Sequence, residues 1–200
     1  MLVRRSALLL GGLVLYGLSL TLLLRSDLGL APWDVFHQGL AETVGLSLGT
    51  TIVITSFAVL ALWIPLRERP GVGTVANAVV VGLGVDVFSA IIPDIDSLSL
   101  RWGLLALGIV GNGVATGMYI GAGMGPGPRD GLMTGIARRG GSIRVVRTSI
   151  ELVVLLTGIV LGGTFGVGTI LYAVAIGPLA QFFLPVFTKM SGPRPAALPT

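Results

Sequence analysis

The chain has 200 residues, 53% of them hydrophobic and only 11% charged, with a mean hydropathy of +0.93. Apolar blocks this long exceed what a soluble core of this size can bury, which points to a polytopic inner-membrane protein. With no cysteine, disulfides, thiolate metal sites and thiol nucleophiles are excluded, and the arginines behind the net charge of +4 sit in short loops, where they set topology rather than bind nucleic acid.

Six spans are predicted in chain order, at 6–24, 47–66, 73–92, 103–121, 147–164 and 167–188. Each is near the roughly 20 residues needed to cross about 30 Å of hydrocarbon. The first could pass for a signal peptide, because Arg4 and Arg5 precede a leucine-rich run. No clear small-x-small cleavage site follows it, however, and it has a counterpart at 103–121, so it reads as a span. Residues 189–200 are rich in proline and read as a disordered tail of a single membrane domain.

With the N-terminus in the cytoplasm, Arg4, Arg5, Arg67, Arg69, Arg129, Arg138, Arg139, Arg144, Arg147, Lys189 and Arg194 lie at or near the inner face. Only Arg25 and Arg101 remain outside. This asymmetry predicts cytoplasmic N- and C-termini.

The two halves of the chain repeat. Gly71-Val-Gly-Thr74 recurs as Gly166-Val-Gly-Thr169, and Gly29, Pro32, Asp34, Gly39, Ala41 and Gly45 match Gly125, Pro128, Asp130, Gly135, Ala137 and Gly141. Repeat 1 covers 5–92 and repeat 2 covers 101–188. Three spans per copy is an odd number, so the second copy enters the membrane from the opposite side. The expected fold is all-α, a 3+3 inverted repeat, and a site is expected where the halves meet.

The most distinctive polar feature is a linker after the first and fourth spans, Pro32-Trp33-Asp34 in one copy and Pro128-Arg129-Asp130 in the other. Proline suits a first helical turn, and a carboxylate two residues later favours the positive end of the helix dipole. Each linker therefore predicts a short helix starting near Trp33 or Arg129. These helices either lie in the interface, with the aspartates as helix-start residues, or dip into the membrane from opposite faces. In the second case their N-termini would meet near the midplane and attract an anionic substrate group. Trp33 would then supply a stacking surface, or else an interfacial anchor. Arg129 would supply a two-donor fork.

Within the spans, Asp86 aligns with Gln181, Asn77 with Tyr172, and Tyr16 with Asn112, which suggests a polar seam between the halves. A charge at mid-bilayer marks a candidate functional site, so Asp86 is read as functional and Asn112 as a helix–helix hydrogen bond. Arg147 and Glu151 are expected to form an i,i+4 ion pair that, with Arg129 and Asp130, could make an inner gate or a substrate clamp. Glycines at 113, 117, 121 and 125 mark a face for close helix packing.

Enzyme signatures are weak. Gly45-Leu-Ser-Leu-Gly49 fits a nucleophile-elbow pattern but opens a span. His37, the sole histidine, has no second base for a metal and is expected to be solvated. No catalytic residue, metal or cofactor is predicted.

Gly29-x-x-Pro-Trp-Asp34, Gly49-Thr50, Gly71-x-Gly-Thr74 with Asn77, and Gly125-x-Gly-Pro-Arg-Asp-Gly131 resemble the YczE/YyaS/YitT-type bacterial integral membrane proteins over roughly residues 7–188. The resemblance implies a small multi-spanning bacterial membrane protein and carries no catalytic residue. The function expected is a small-molecule transporter or channel-like permease in the lipid bilayer, for a substrate bearing an anionic group. The opposing class is a membrane accessory or scaffold protein.

Overall fold

A computed structural model describes residues 2–192. Among these residues the chain is all-helical: α1 (Leu2–Ser26), α2 (Pro32–Val44), α3 (Leu48–Ala61), α4 (Trp63–Leu66), α5 (Val72–Ile91), α6 (Leu98–Gly121), α7 (Pro128–Ala137), α8 (Ile143–Val160) and α9 (Val167–Ser191).

Five helical stretches are long and apolar enough to cross a membrane, namely α1, α3 with α4, α5, α6 and α9. The remaining expected span, 147–164, corresponds to α8. That helix has only 18 residues, bears Arg144, Arg147 and Glu151 in its first half, and stops before Gly162, whose φ is 95°. The expected span 47–66 is broken at Leu62, because Pro65 has no N–H to offer the Ala61 carbonyl. At the C-terminus, Lys189 to Ser191 complete the last turn of α9, which corrects the start of the expected tail; residues 193–200 lie outside the described residues.

At the centre α1 and α6 pack antiparallel through equivalent positions in exchanged roles. A Cβ on Gly12 would sit 2.9 Å from the backbone of Tyr119 and 3.2 Å from that of Ala115. One on Gly108 would sit 2.8 Å from Leu23 and 3.1 Å from the backbone of Ser19. Gly113, Gly117 and Gly121 lie against Leu179, Phe183 and Phe187 of α9 in parallel register. Gly125 is not part of this stripe, because α6 has ended.

The loops before α2 and α7 are also exchanged. Leu28 O accepts the N–H of Gly168 at 2.7 Å, and Met124 O accepts that of Gly73 at 2.8 Å. Gly29 and Gly125 make this possible, with φ of 118° and 124°, each lying against the first turn of the other half's last helix. Arg5 Nε donates to Ser191 O at 3.4 Å, so α9 begins beside the end of α1 and ends beside its start. Since α6 also runs antiparallel to α1, α8 carries the chain back along the bundle, over about 27 Å at 1.5 Å per residue.

Candidate functional site

Both short helices begin at their prolines, Pro32 and Pro128, with N-caps Ala31 and Gly127 that offer no side-chain acceptor. Their first turns are held by close packing. Gly158 and Gly163 let α8 and the loop after it approach the backbone of Phe36 and Val35, while Gly131 accommodates the Trp63 indole, whose Nε1 donates to Pro128 O at 3.0 Å. The two N-termini are thereby brought to one place. Trp33, Asp34, Pro128, Arg129 and Asp130 line a single small cavity of about 50 Å³ with Tyr16, His37, Thr55, Asn77 and Tyr119.

A second cavity, of about 410 Å³, lies on the other side of the same residues. Trp33, Tyr119, Arg129 and Asp130 line both and form the partition between them. The larger space is bounded by Pro32, Arg147, Glu151, Tyr172, Gly177 and Gln181 among others, and falls within the usual range for small-molecule sites. It exists because α8 packs on α2 and α7 and not along α9, whereas α3, its counterpart by the repeat, packs closely on α5.

The partition is a polar network. Arg129 Nη2 donates to the Tyr16 hydroxyl, and its guanidinium lies 5.7 Å from that ring's centroid. Tyr119 donates to Asp130 Oδ2 and meets Tyr16 edge-on at 6.1 Å. Asp34 is 3% exposed; its Oδ1 lies 3.3 Å from His37 Nδ1, while Oδ2 has no partner. Trp33 is 6% exposed and its indole N–H is likewise unpartnered. An unmatched buried donor and acceptor are costly in a resting structure, and each calls for a partner or a role.

Of the polar residues singled out in the spans, Asn77 faces the small cavity and Gln181, Arg147 and Glu151 face the large one, with Arg147 Nε donating to Glu151 at 2.9 Å. Asn112 is fully buried and accepts the Tyr172 hydroxyl at 2.9 Å, joining α6 to α9. Asp86 lines neither cavity. Its carboxylate accepts Gly49 N–H at 2.8 Å and the Ser47 hydroxyl at 2.6 Å, because the open N-terminus of α3 attracts an anion. The seam is therefore interrupted there. Ser47, the serine of the elbow-like pattern, is the N-cap of α3.

His37 is buried rather than solvated, at 7% exposure, because the face of α2 that carries Asp34 turns inward. Its i,i+3 spacing from Asp34 was the available signal. Tyr119 was also missed; it lies seven residues beyond Asn112, on the same face of α6.

A model for a family of unknown function (DUF6198) matches residues 3–185. The chain is 38% identical over 185 residues to an uncharacterized protein of Haemophilus influenzae, covering 92% of this chain and 85% of that one. It is 36% identical over 172 residues to the uncharacterized membrane protein YczE of Bacillus subtilis, covering 85% and 80%. It is 26% identical over 185 residues to the uncharacterized protein YyaS of the same organism, covering 89% and 91%. No solved structure matches. The chain belongs to the DUF6198 family and is a relative of the YczE- and YyaS-type proteins.

Proposed function

We propose that this protein is a small-molecule transporter of the bacterial inner membrane, a 3+3 inverted repeat that works by alternating access. The observation that carries the reading is the set of Trp33, Tyr119, Arg129 and Asp130 shared between a small cavity and a much larger one. A transporter needs polar groups converging on a space that ligand can reach, whereas a scaffold can be packed solid. The exchanged contacts of Gly12 with Gly108, and of Gly29 with Gly125, support two halves related by a two-fold axis.

Under that relation, α3 on α5 and α8 beside α9 are the same pair of elements in two arrangements. The first is shut and the second is open. Rocking the halves would exchange them, closing α8 on α9 and parting α3 from α5, with the Pro-x-Asp turns at the pivot. With cytoplasmic termini, the reading that the arginine distribution supports, Arg147, Glu151 and Gln181 lie towards the cytoplasm and Asp86 towards the outside, and the arrangement proposed is inward-open.

Single cysteines in the naturally cysteine-free chain test this directly. Gln181→Cys is expected to react with an impermeant thiol reagent in inverted vesicles and not in right-side-out ones. Thr55→Cys is expected to stay protected until Asp86→Ala frees α3 from α5, and then to react from the outer face. Protection of both positions on both sides, with or without Asp86, would favour the scaffold.

A further inference from the structure

The small cavity has an electrostatic imbalance that the substrate reading leaves unused. Its lining includes two carboxylates, Asp34 on α2 and Asp130 on α7, and a single guanidinium, that of Arg129. The other groups facing it are neutral: Tyr16 from α1, Thr55 and Ser56 from α3, Asn77 from α5, and Tyr119 from α6. Arg147, across the partition, is paired with Glu151. With His37 neutral, the cavity carries one negative charge in excess, and the Asp34 oxygen that has no partner is the place where it is exposed to no compensation. A buried acceptor without a donor is costly, and a proton carried beside it would supply one.

The group best placed to carry that proton is already present. His37 Nδ1 lies 3.3 Å from Asp34 Oδ1, and both side chains are more than nine-tenths buried against the same cavity. One proton on this pair brings the lining to neutrality, with His37 and Arg129 balancing Asp34 and Asp130. At about 50 Å³ the cavity exceeds the roughly 10–15 Å³ that one water needs by the same measure, so a proton can reach the pair without a large ligand entering. Asp34 and Asp130 also sit at the pivot of the proposed rocking motion, where a change of one charge acts on both halves.

We infer that Asp34 and His37 form a one-proton site whose loading and release couple transport to the proton gradient. The coupling rests on the transporter reading above; proton binding by the pair does not, and it can be measured without a substrate.

The chain contains one histidine, so histidine-labelled protein carrying a histidine-free tag gives one imidazole signal. Nitrogen NMR of the full chain in lipid nanodiscs would follow it across about pH 5–9, where an imidazole titrates. A reversible one-proton titration is expected. Asp34→Asn, which removes the opposite charge, is expected to lower the proton affinity of His37 about tenfold or more, and Arg129→Gln to raise it about threefold or more. Replacing sodium by a bulky organic cation should leave the wild-type titration where it is.

An imidazole unresponsive to pH overturns the proposal, as does a midpoint unchanged in both variants. A sodium-dependent fall in proton affinity of about tenfold would assign the site to sodium instead. Should Asp34→Asn not fold, Arg129→Gln and the sodium comparison decide. An Asp34-dependent titration in a protein whose Gln181→Cys is protected would leave the proton site standing and remove the transporter. Accessible cysteines without that titration would do the reverse.

Discussion

Asp86 and Gly49 are joined across two helices: the carboxylate of the first accepts the backbone N–H of the second at 2.8 Å. The contact requires glycine, since a Cβ there would stand 2.5 Å from the Asp86 carboxyl carbon and 2.1 Å from Gly82 O. Ser47 adds a second bond at 2.6 Å, so a single side chain ties the start of α3 to α5. Gln181, the counterpart of Asp86 in the sequence repeat, faces the larger cavity instead. The polar groups at these matched positions thus sit on a closely packed helix pair, α3 with α5, and on the separated pair, α8 and α9.

Asp86→Ala is accordingly expected to lower the stability of the detergent-solubilised protein by about 1–2 kcal/mol, since charge-assisted bonds at a partly exposed helix start are lost. Asp86→Asn keeps an acceptor for the Gly49 N–H and should lose about half as much. Thermal unfolding followed by circular dichroism measures both. Equal stability of all three proteins would show that the tie is not formed in solution.

Gly29 and Gly125 should respond alike to the same substitution. Both hold a positive φ, and a Cβ at either would meet the first turn of the other half's last helix, at 2.7 Å from Gly166 N and 2.6 Å from Thr74 Oγ1 respectively. Gly→Ala at each is expected to cost about 1–3 kcal/mol through backbone strain alone, with the close approach adding to it. Gly45→Ala is the control: its φ of 71° is also positive, but nothing lies within 4 Å. If Gly29→Ala and Gly125→Ala unfold no earlier than Gly45→Ala, the exchanged loop contacts are not load-carrying features of the fold.

The exchanged loop contacts were legible because glycine is required wherever backbones meet, so Gly29, Gly71, Gly125 and Gly166 mark them in the sequence itself. The helix starts at Pro32 and Pro128 were legible for a similar reason, since proline and a first-turn acid are local signals. What could not be read was which element a polar side chain would meet. Asp86 went to the start of α3 and Asn77 to the cavity, though both lie on α5, because inter-helix rotation and not local pattern decides the partner. The α8–α9 separation was equally invisible: the two halves share a pattern yet adopt different packings.

Trp63 provides the next test. Its indole is 2% exposed, donates to Pro128 O at 3.0 Å, and stands where a Cβ on Gly131 would lie only 2.0 Å from Cζ2. Gly131→Ala must push the ring away and break that bond, so a loss of about 1–3 kcal/mol is expected from overpacking. Trp63→Phe leaves the Pro128 carbonyl without its partner and should lose about 1–3 kcal/mol by that route. In the double variant Gly131→Ala with Trp63→Phe the smaller ring relieves the clash, so the combined loss should fall short of the sum of the two. Strict additivity in thermal melts would mean that the ring and the glycine do not meet.

Gly177 separates a working cavity from an incidental gap. It lines the larger cavity from α9, its φ is not in the left-handed region, and a Cβ there has nothing within 4 Å. The Cβ of Gly177→Phe therefore meets no clash and its ring is directed to the space of the cavity, while replacing a helical glycine gains rather than loses helix propensity, by about 0.5 kcal/mol. The folded yield and thermal midpoint should match or exceed those of the unmodified chain, while the ring fills space that a ligand or water would occupy. A cysteine at Thr116, on the α6 wall of the same cavity, should then react with an aqueous thiol reagent several-fold more slowly than it does beside Gly177. Gly103→Phe is the matched control, because a Cβ there also meets open space but lies outside this cavity. Slowing by Gly177→Phe and not by Gly103→Phe would establish that the space is water-filled and reachable in the folded protein. Equal rates in all three would mean that α8 and α9 close on each other in the bilayer, and the vestibule on which the transport reading depends would be gone.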